Sequence, residues 1–475
     1  MPGAERTHPR VTLAVLSTSA LAYVVLSSAV LPALPTIQRD LHASESGVAS
    51  LLTGFLLSAS VGTAILGRLG DMFGKERVLV WTLAILGGGT LLAALSHSLP
   101  VLIAARVLQG VAGGIFPLSF AIVRDEFPGE QVAGSIGLLS AIIGIGSGFG
   151  IVAGAVIVEY LHWQWLFWVP LVVIVLATYC TWRFVPESPV RVPGRVNWVA
   201  ALLMSAGISA VLLAISEATA WGWGSARTVG LLGGGLLVCG VWVAVETRSS
   251  NPLIDMAMMR IRGVWATNLT AFLLGAGVYS SSLAFPTFAQ LPKSTGFGFG
   301  ASVVVSGLYL LPSTVGMVVI GFTSGAVART FGSKRATIAG SAITAAGFAF
   351  IASVHAHPYD LLIATSVMGI GIGLAFAAVG NLIVQAVDPH QTGTAGGMNT
   401  VMRMVGGAIG GQITATIIAG HIAHDGLPAV TGFTYSFALA AVVLVVCSLA
   451  ASLVPGERRR LHGVQGAEPM MVEVR

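Results

Sequence analysis

Two arginines stand where a charge is expensive. Arg106 lies about five residues into one long apolar run, and Arg403 near the start of another. A charged side chain facing lipid at the bilayer centre costs at least ~2.5 kcal/mol, so Arg106 is expected to face a protein interior. Arg403 is close enough to the end of its run to snorkel. The polar side chains Gln109, Asn268, Tyr279, Tyr309, Asn381, Asn399 and Gln412 also fall within apolar runs. They either line a path for a polar ligand or bond one helix to another. The nineteen acids behave differently: all lie in loops, tails or span ends. Asp71, Glu159 and Glu217 are the boundary acids that could carry a proton, with a solvated loop position as the alternative for each.

Such residues suit holding and moving a ligand rather than breaking bonds. No nucleophile–base arrangement is legible, and no Gly-rich loop ends in the Lys-Ser/Thr that would cradle a nucleotide phosphate. The ten histidines fall in tails or loops, and His355 and His357 have no third ligand clustered with them. Cys180, Cys239 and Cys447 sit singly in apolar runs, as small core residues do. The expectation is a chain with no metal, no cofactor and no catalytic site.

The elements that position these residues follow from composition. Of 475 residues, 55% are apolar, 60 are glycine and 9% are charged, whereas a soluble domain carries ~25% charged residues. That much apolar surface must face lipid. Fourteen runs are long enough to cross a bilayer, the first at roughly 12–34 and the last at roughly 433–453. Sorting the basic residues by alternate loops places nineteen on one side with both termini, three on the other, and leaves Arg106 and Arg403. By the positive-inside rule both termini are cytoplasmic and the span count is even. The net charge of +5 is therefore topological, and nucleic acid is not an expected partner. Trp163, Trp165 and Trp168 lie at one predicted outer boundary, where amphipathic rings prefer to sit.

The chain repeats itself. Gly67–Arg77 resembles Gly325–Arg335 at an offset of 258, Leu102–Val107 resembles Leu362–Val367 at 260, and Ala133-Gly134 with Gly144 and Gly148 echoes Ala395-Gly396 with Gly406 and Gly410 at 262. The unit is six spans, 1–6 and 9–14, with spans 7 and 8 inserted between copies. The organisation predicted is a tail over 1–11, a six-helix bundle over 12–184, a linker carrying two inserted helices over 185–262, a second six-helix bundle over 263–455 and a tail over 456–475. Two parallel halves suggest a cavity opened to each side in turn. A channel would need a polar filter, and none is seen. Gly144, Gly148, Gly150 and Gly154 place small residues every two to four positions in span 5, which predicts close helix packing.

These stretches resemble the major facilitator superfamily, and within it the fourteen-span drug:proton antiporter branch. Gly67–Arg77 looks like the signature G-x-L-x-D-x-x-G-[RK]-[RK] of the loop after span 2. Arg106, Gln109 and Gly110 resemble the span-4 motif R-x-x-Q-G, and Gly393–Arg403 the span-13 signature. The resemblance implies an all-α integral membrane protein of the major facilitator fold, with two six-helix bundles plus two inserted helices. It implies that Gly67, Asp71, Gly74, Lys75 and Arg77 form a latch between the halves in one conformation. From the residues themselves, the glycines permit a tight turn and Asp71 is placed for a helix N-terminus or a nearby Arg; a fixed turn with topogenic charges is the alternative. The resemblance gives Arg106 a role in proton coupling, by modulating a nearby carboxyl or by contacting substrate, against a hydrogen-bonding hub for backbone carbonyls. In the span-5 motif the family's Gly-Pro pair is here Phe149-Gly150, so the motif reads as packing.

Many cation exporters of this branch carry an acid in span 1, where this chain offers only the hydroxyls of Tyr23, Ser27 and Ser28. Neutral, zwitterionic or anionic amphipathic substrates are expected. The function implied is secondary active export of amphipathic small molecules by proton antiport, from a monomer in a prokaryotic plasma membrane. An exporter dedicated to one endogenous product, and more remotely a non-transporting membrane sensor, are the alternatives.

Overall fold

A computed structural model describes residues 9–43, 45–188, 197–249, 252, 254, 256–388, 391–423 and 427–455. The predicted tail over 456–475 lies outside them. Among the described residues, fourteen helices are long and apolar enough to cross a membrane. In the first half these are α1 (Pro9–Ala29), α2 (Glu45–Phe73), α3 (Lys75–Ala94), α4 (Leu99–Glu126), α5 (Gly129–Tyr160) and α6 (Trp165–Phe184). The inserted pair is α7 (Trp198–Trp221) and α8 (Ala226–Arg248). The second half holds α9 (Arg262–Gln290), α10 (Leu311–Phe331), α11 (Ser333–Ser353), α12 (Pro358–Gln385), α13 (Thr392–Ala419) and α14 (Val430–Ser452). Among the described residues no β-strand forms beyond an isolated bridge between Ile422 and Pro428. Both described ends of the chain, together with the α2–α3, α4–α5 and α12–α13 turns, lie on one side, the basic face.

The repeat is visible in which helices touch. In the first half α1 packs on α5 and α6, α2 on α4, and α3 on α4 and α6. In the second, α9 packs on α13 and α14, α10 on α12, and α11 on α12 and α14. The seam between halves is built from α5 against α10 and α12, and from α13 against α2 and the second part of α4. The inserted α7 touches both α2 and α13 and so runs along that seam. Beside it, α7, α8 and α13 border an open, mainly apolar groove of about 580 Å³, lined among others by Val211, Ile215, Leu232, Ile409 and Ile413.

The span-5 glycines divide between two jobs. Gly150 and Gly154 lie on α1 within the first half, where a Cβ on Gly154 would stand 2.2 Å from the carbonyl oxygen of Ala29. Gly144 and Gly148 lie on the seam, under Met317 and Thr314 of α10. One helix thus carries a fixed contact and a between-halves contact on different faces.

Two local expectations are corrected. Residues 67–73 are not loop: they complete α2, and Gly74 alone turns the chain into α3, with φ 109°. The helical period continues because Leu69, Met72 and Phe73 extend its apolar pattern, so Asp71 belongs to a helix and not to solvent. Trp163 is not an interfacial ring; it is 2% exposed and packs edge-on against Phe167.

Candidate functional site

Where α2 and α3 meet the second half, charges are buried together. Asp71 and Lys75 are both enclosed, Nζ of Lys75 lying 4.0 Å from Oδ1 of Asp71. Lys75 also donates to Oδ2 of Asp125 near the end of α4, and that carboxylate accepts from the Ser188 hydroxyl. Arg77 is exposed and pairs with Glu187 at 3.4 Å.

Two contacts carry this cluster across the seam. Oδ2 of Asp71 accepts from the backbone N–H of Thr394 at 3.3 Å and from its hydroxyl at 3.2 Å. Thr394 lies in the first turn of α13, so the carboxylate sits at a positive helix pole. From α4, Arg124 donates to the carbonyl of Val384, to that of Val387 at 2.8 Å and to the Thr392 hydroxyl at 2.6 Å. Those carbonyls belong to the last turn of α12 and the turn beyond it, a negative pole with orphan acceptors. Each charge of the first half therefore meets the helix end of opposite sign in the second. The backbones touch as well: a Cβ on Gly67 would stand 2.6 Å from the carbonyl oxygen of Gly393.

Arg106 is deeper, seven residues from the start of α4. It is wholly buried, with its guanidinium 4.2 Å above the ring of Phe55 from α2. Nη1 donates to Oε1 of Gln109 at 2.9 Å, and Nε2 of Gln109 donates to the Thr90 hydroxyl at 3.4 Å. Nε and Nη2 of Arg106 have no partner among the described residues. The Tyr23 ring of α1 stacks on Phe55 with centroids 5.8 Å apart, and its buried hydroxyl is likewise without a partner there. Tyr23 lies within electrostatic reach of both Arg106 and Tyr279. Tyr279 of α9 rests on Gly407 and lies within reach of Arg403. Arg403 is buried, 5.1 Å from the ring centroid of Phe376. Both arginines and both tyrosines thus converge where the halves face each other.

The remaining expected residues are elsewhere. Nδ2 of Asn399 donates to Oδ1 of Asn268 at 3.1 Å and so ties α13 to α9 inside the second half. Nδ2 of Asn381 donates to the carbonyl of Ala133 at 3.0 Å, a bond between α12 and α5 across the seam. Glu159 is exposed at the outer end of α5, and Glu217 belongs to the last part of α7. Both therefore stand at helix ends, away from the central arginines. Sequence reasoning overlooked Arg124, Asp125 and Ser188, because Arg124-Asp125-Glu126 reads as an ordinary charged helix end. It names Tyr279 as a path-lining candidate and Tyr23 as a span-1 hydroxyl but pairs neither with an arginine, because nothing in one span announces its partner in another.

A model of the Major Facilitator Superfamily matches residues 16–411. The chain is 28% identical over 422 residues to the tetracenomycin C resistance and export protein of Streptomyces glaucescens, a match that covers 88% of this chain and 77% of that one. It is 27% identical over 384 residues to the multidrug transporter protein MdtP of Bacillus subtilis, covering 80% of this chain and 69% of MdtP. The crystal structure of the human organic anion transporter MFSD10 (TETRAN) shares its fold, with a TM-score of 0.68 at 15% identity over 93% of this chain and 99% of that one.

Proposed function

Because the chain belongs to the Major Facilitator Superfamily, and is a transporter and not an enzyme, we propose that it exports amphipathic small molecules, drugs or antibiotics among them, by proton antiport. The observation that carries this reading is the buried, incompletely hydrogen-bonded pair of Tyr23 and Arg106 facing Tyr279 and Arg403 between two repeated halves. A buried site on the dividing plane is what alternating access requires. The names of relatives, one a multidrug transporter and one a resistance and export protein for a single antibiotic, support export and leave substrate breadth to experiment.

The nineteen-to-three bias in basic residues supports cytoplasmic termini in a prokaryotic plasma membrane. The Asp71–Thr394 and Arg124–Val387 contacts then close the cytoplasmic side, and their rupture opens it. A monomer contains all of these parts. Asp71 is the acid placed to link protonation to that rupture, since neutralising its carboxylate removes the charge held at the α13 pole. An inward proton across 100 mV supplies about 2.3 kcal/mol, enough to drive a useful gradient.

The test is flux in proteoliposomes of the purified full chain under an imposed pH gradient. Gradient-dependent movement of several unrelated amphipathic compounds is the expected result. Movement of one compound alone supports the dedicated exporter, and flux indifferent to the pH gradient would remove proton antiport.

A further inference from the structure

The export reading leaves open what kind of molecule occupies the centre, and the charges there narrow it. The titratable groups within electrostatic reach of the two central arginines are phenols: Tyr23 for Arg106 and Tyr279 for Arg403. No carboxylate is among them within the described residues. The described acids stand at helix ends, Asp71 and Asp125 at the basic face and Glu159 and Glu217 toward the other. Arg106 spends one nitrogen on Gln109 and leaves Nε and Nη2 free of protein partners in a wholly buried setting. A buried charge without a counter-charge is among the costliest features a fold can hold. Its persistence is explained if the missing negative charge arrives with the ligand.

Beyond the charges, the neighbours of both arginines are aromatic. Phe55 lies beneath Arg106 and stacks on Tyr23, Phe376 lies beside Arg403, and Tyr279 is 39% exposed while resting on Gly407. Phenol hydroxyls add donors, because the Tyr23 hydroxyl is itself without a protein partner. A planar anion with an apolar ring matches this set: its oxygens accept from guanidinium and phenol, and its ring lies among Tyr23, Phe55 and Tyr279. A cation would add a third positive charge to the two already enclosed.

We propose that Arg106 and Tyr23 of the first half and Arg403 and Tyr279 of the second form a bipartite anion site, and that the exported compounds it selects are aromatic carboxylates. This rests on the export reading above. Because the anion touches both halves, it binds best when they are close around it.

The experiment measures binding to the full chain in nanodiscs of zwitterionic lipid, without any gradient, using 1-naphthoate and its neutral amide 1-naphthamide. One charge-assisted hydrogen bond contributes ~1.5–3 kcal/mol, so the acid is expected to bind at least ~10-fold more tightly than the amide. Arg106→Gln and Arg403→Gln should each bring that preference below about threefold. Tyr279→Phe, at a partly exposed position that tolerates change, should reduce the preference about threefold and serves if an arginine variant does not fold. Equal binding of acid and amide, binding of neither, or a preference that survives all three variants overturns the proposal. So does a site that chloride fills and no organic acid displaces. Export of neutral or cationic amphiphiles with no preference for acids would sink the anion site and keep the export reading. Acid binding that requires both arginines, with no flux of any compound, would do the reverse.

Discussion

The same helix–turn–helix occurs twice in this molecule and does different work. Gly74 and Gly332 occupy matching places between α2 and α3 and between α10 and α11, with φ 109° and ψ 132° in one and φ 78° and ψ 149° in the other. Both conformations belong to the region that only glycine adopts freely. The backbone device is therefore shared. Side chains are not: Asp71 and Lys75 are buried in the first copy, whereas Arg329 is exposed and Ser333 buried in the second. The first copy joins the halves, and the second keeps the turn without buried charges at these two positions. Duplication thus supplied two equivalent scaffolds, and charge at two positions made one of them a clasp.

The largest break in this comparison comes from Lys75. Lys75→Met strands Asp71 and Asp125 as buried carboxylates without their shared cation. Removing one partner from a buried ion pair costs ~3–5 kcal/mol. The expected outcome is a marked fall in the thermal midpoint, or loss of monodisperse protein, in detergent. Ser333→Ala in the second copy should cost about 1 kcal/mol or less, as for an ordinary hydroxyl deletion. Equal losses would mean that the buried charges of the first copy are not what distinguishes it.

Next come the glycines, where the two copies should agree. Gly74→Ala and Gly332→Ala each force a Cβ into a glycine conformation, at ~1–3 kcal/mol. At Gly74 the added Cβ also meets the Glu187 carboxylate at 2.5 Å, although those atoms are the far end of a flexible, half-buried side chain. Thermal midpoints of the two variants should fall by similar amounts. If Gly332→Ala were silent, the shared backbone requirement would be wrong.

Much of this architecture is legible in the amino-acid chain alone, and the parts that are not share a common cause. The six-span repeat, the inserted pair and the span count follow from local hydropathy, charge placement and self-similarity, which are properties of single segments. Gly74 is legible as a turn because a glycine between two apolar runs has few other uses. Burial of Lys75 is not, because its partner Asp125 stands fifty residues away at the end of α4. Arg124 counts among the orienting charges, and the carbonyls it reaches lie beyond position 380. The central arginines stand out as costly and Tyr279 as a polar group inside a span, yet nothing in either run pairs an arginine with its phenol. Pairings across the seam depend on how two halves dock, and no periodicity encodes that.

The clasp itself predicts a change in equilibrium more than in stability. Asp71→Asn keeps the shape at the α13 pole and removes the charge, a loss of ~0.3–2 kcal/mol in the closed state alone. Spin labels at the exposed positions Phe73 and Gln385, one in each half on the basic face, would read that distance in a cysteine-free background. The long-distance population should rise about 2- to 30-fold. An unchanged distribution would leave Asp71 a local structural acid and remove it from the clasp.

The smallest effect is expected from writing the acid into the second copy. Arg329→Asp reproduces the residue type of Asp71 at its repeat position, so the sequence motif alone predicts a second clasp. Geometry predicts otherwise. Contacts of Gly137 with Ser324 and Gly144 with Met317 run α5 antiparallel to α10, and continuing that register brings Arg329 level with the start of α5. The first turn of α5 already holds Glu130, so its positive pole is served by its own side chain. A new Asp at an exposed site beside another acid finds water instead of an orphan N–H. Stability should stay within ~0.5 kcal/mol, and the Phe73–Gln385 distance distribution should not move. A shift toward the closed population in Arg329→Asp would show that residue type at the repeat position is sufficient to make a clasp, and that burial of the first copy follows from its charges instead of permitting them.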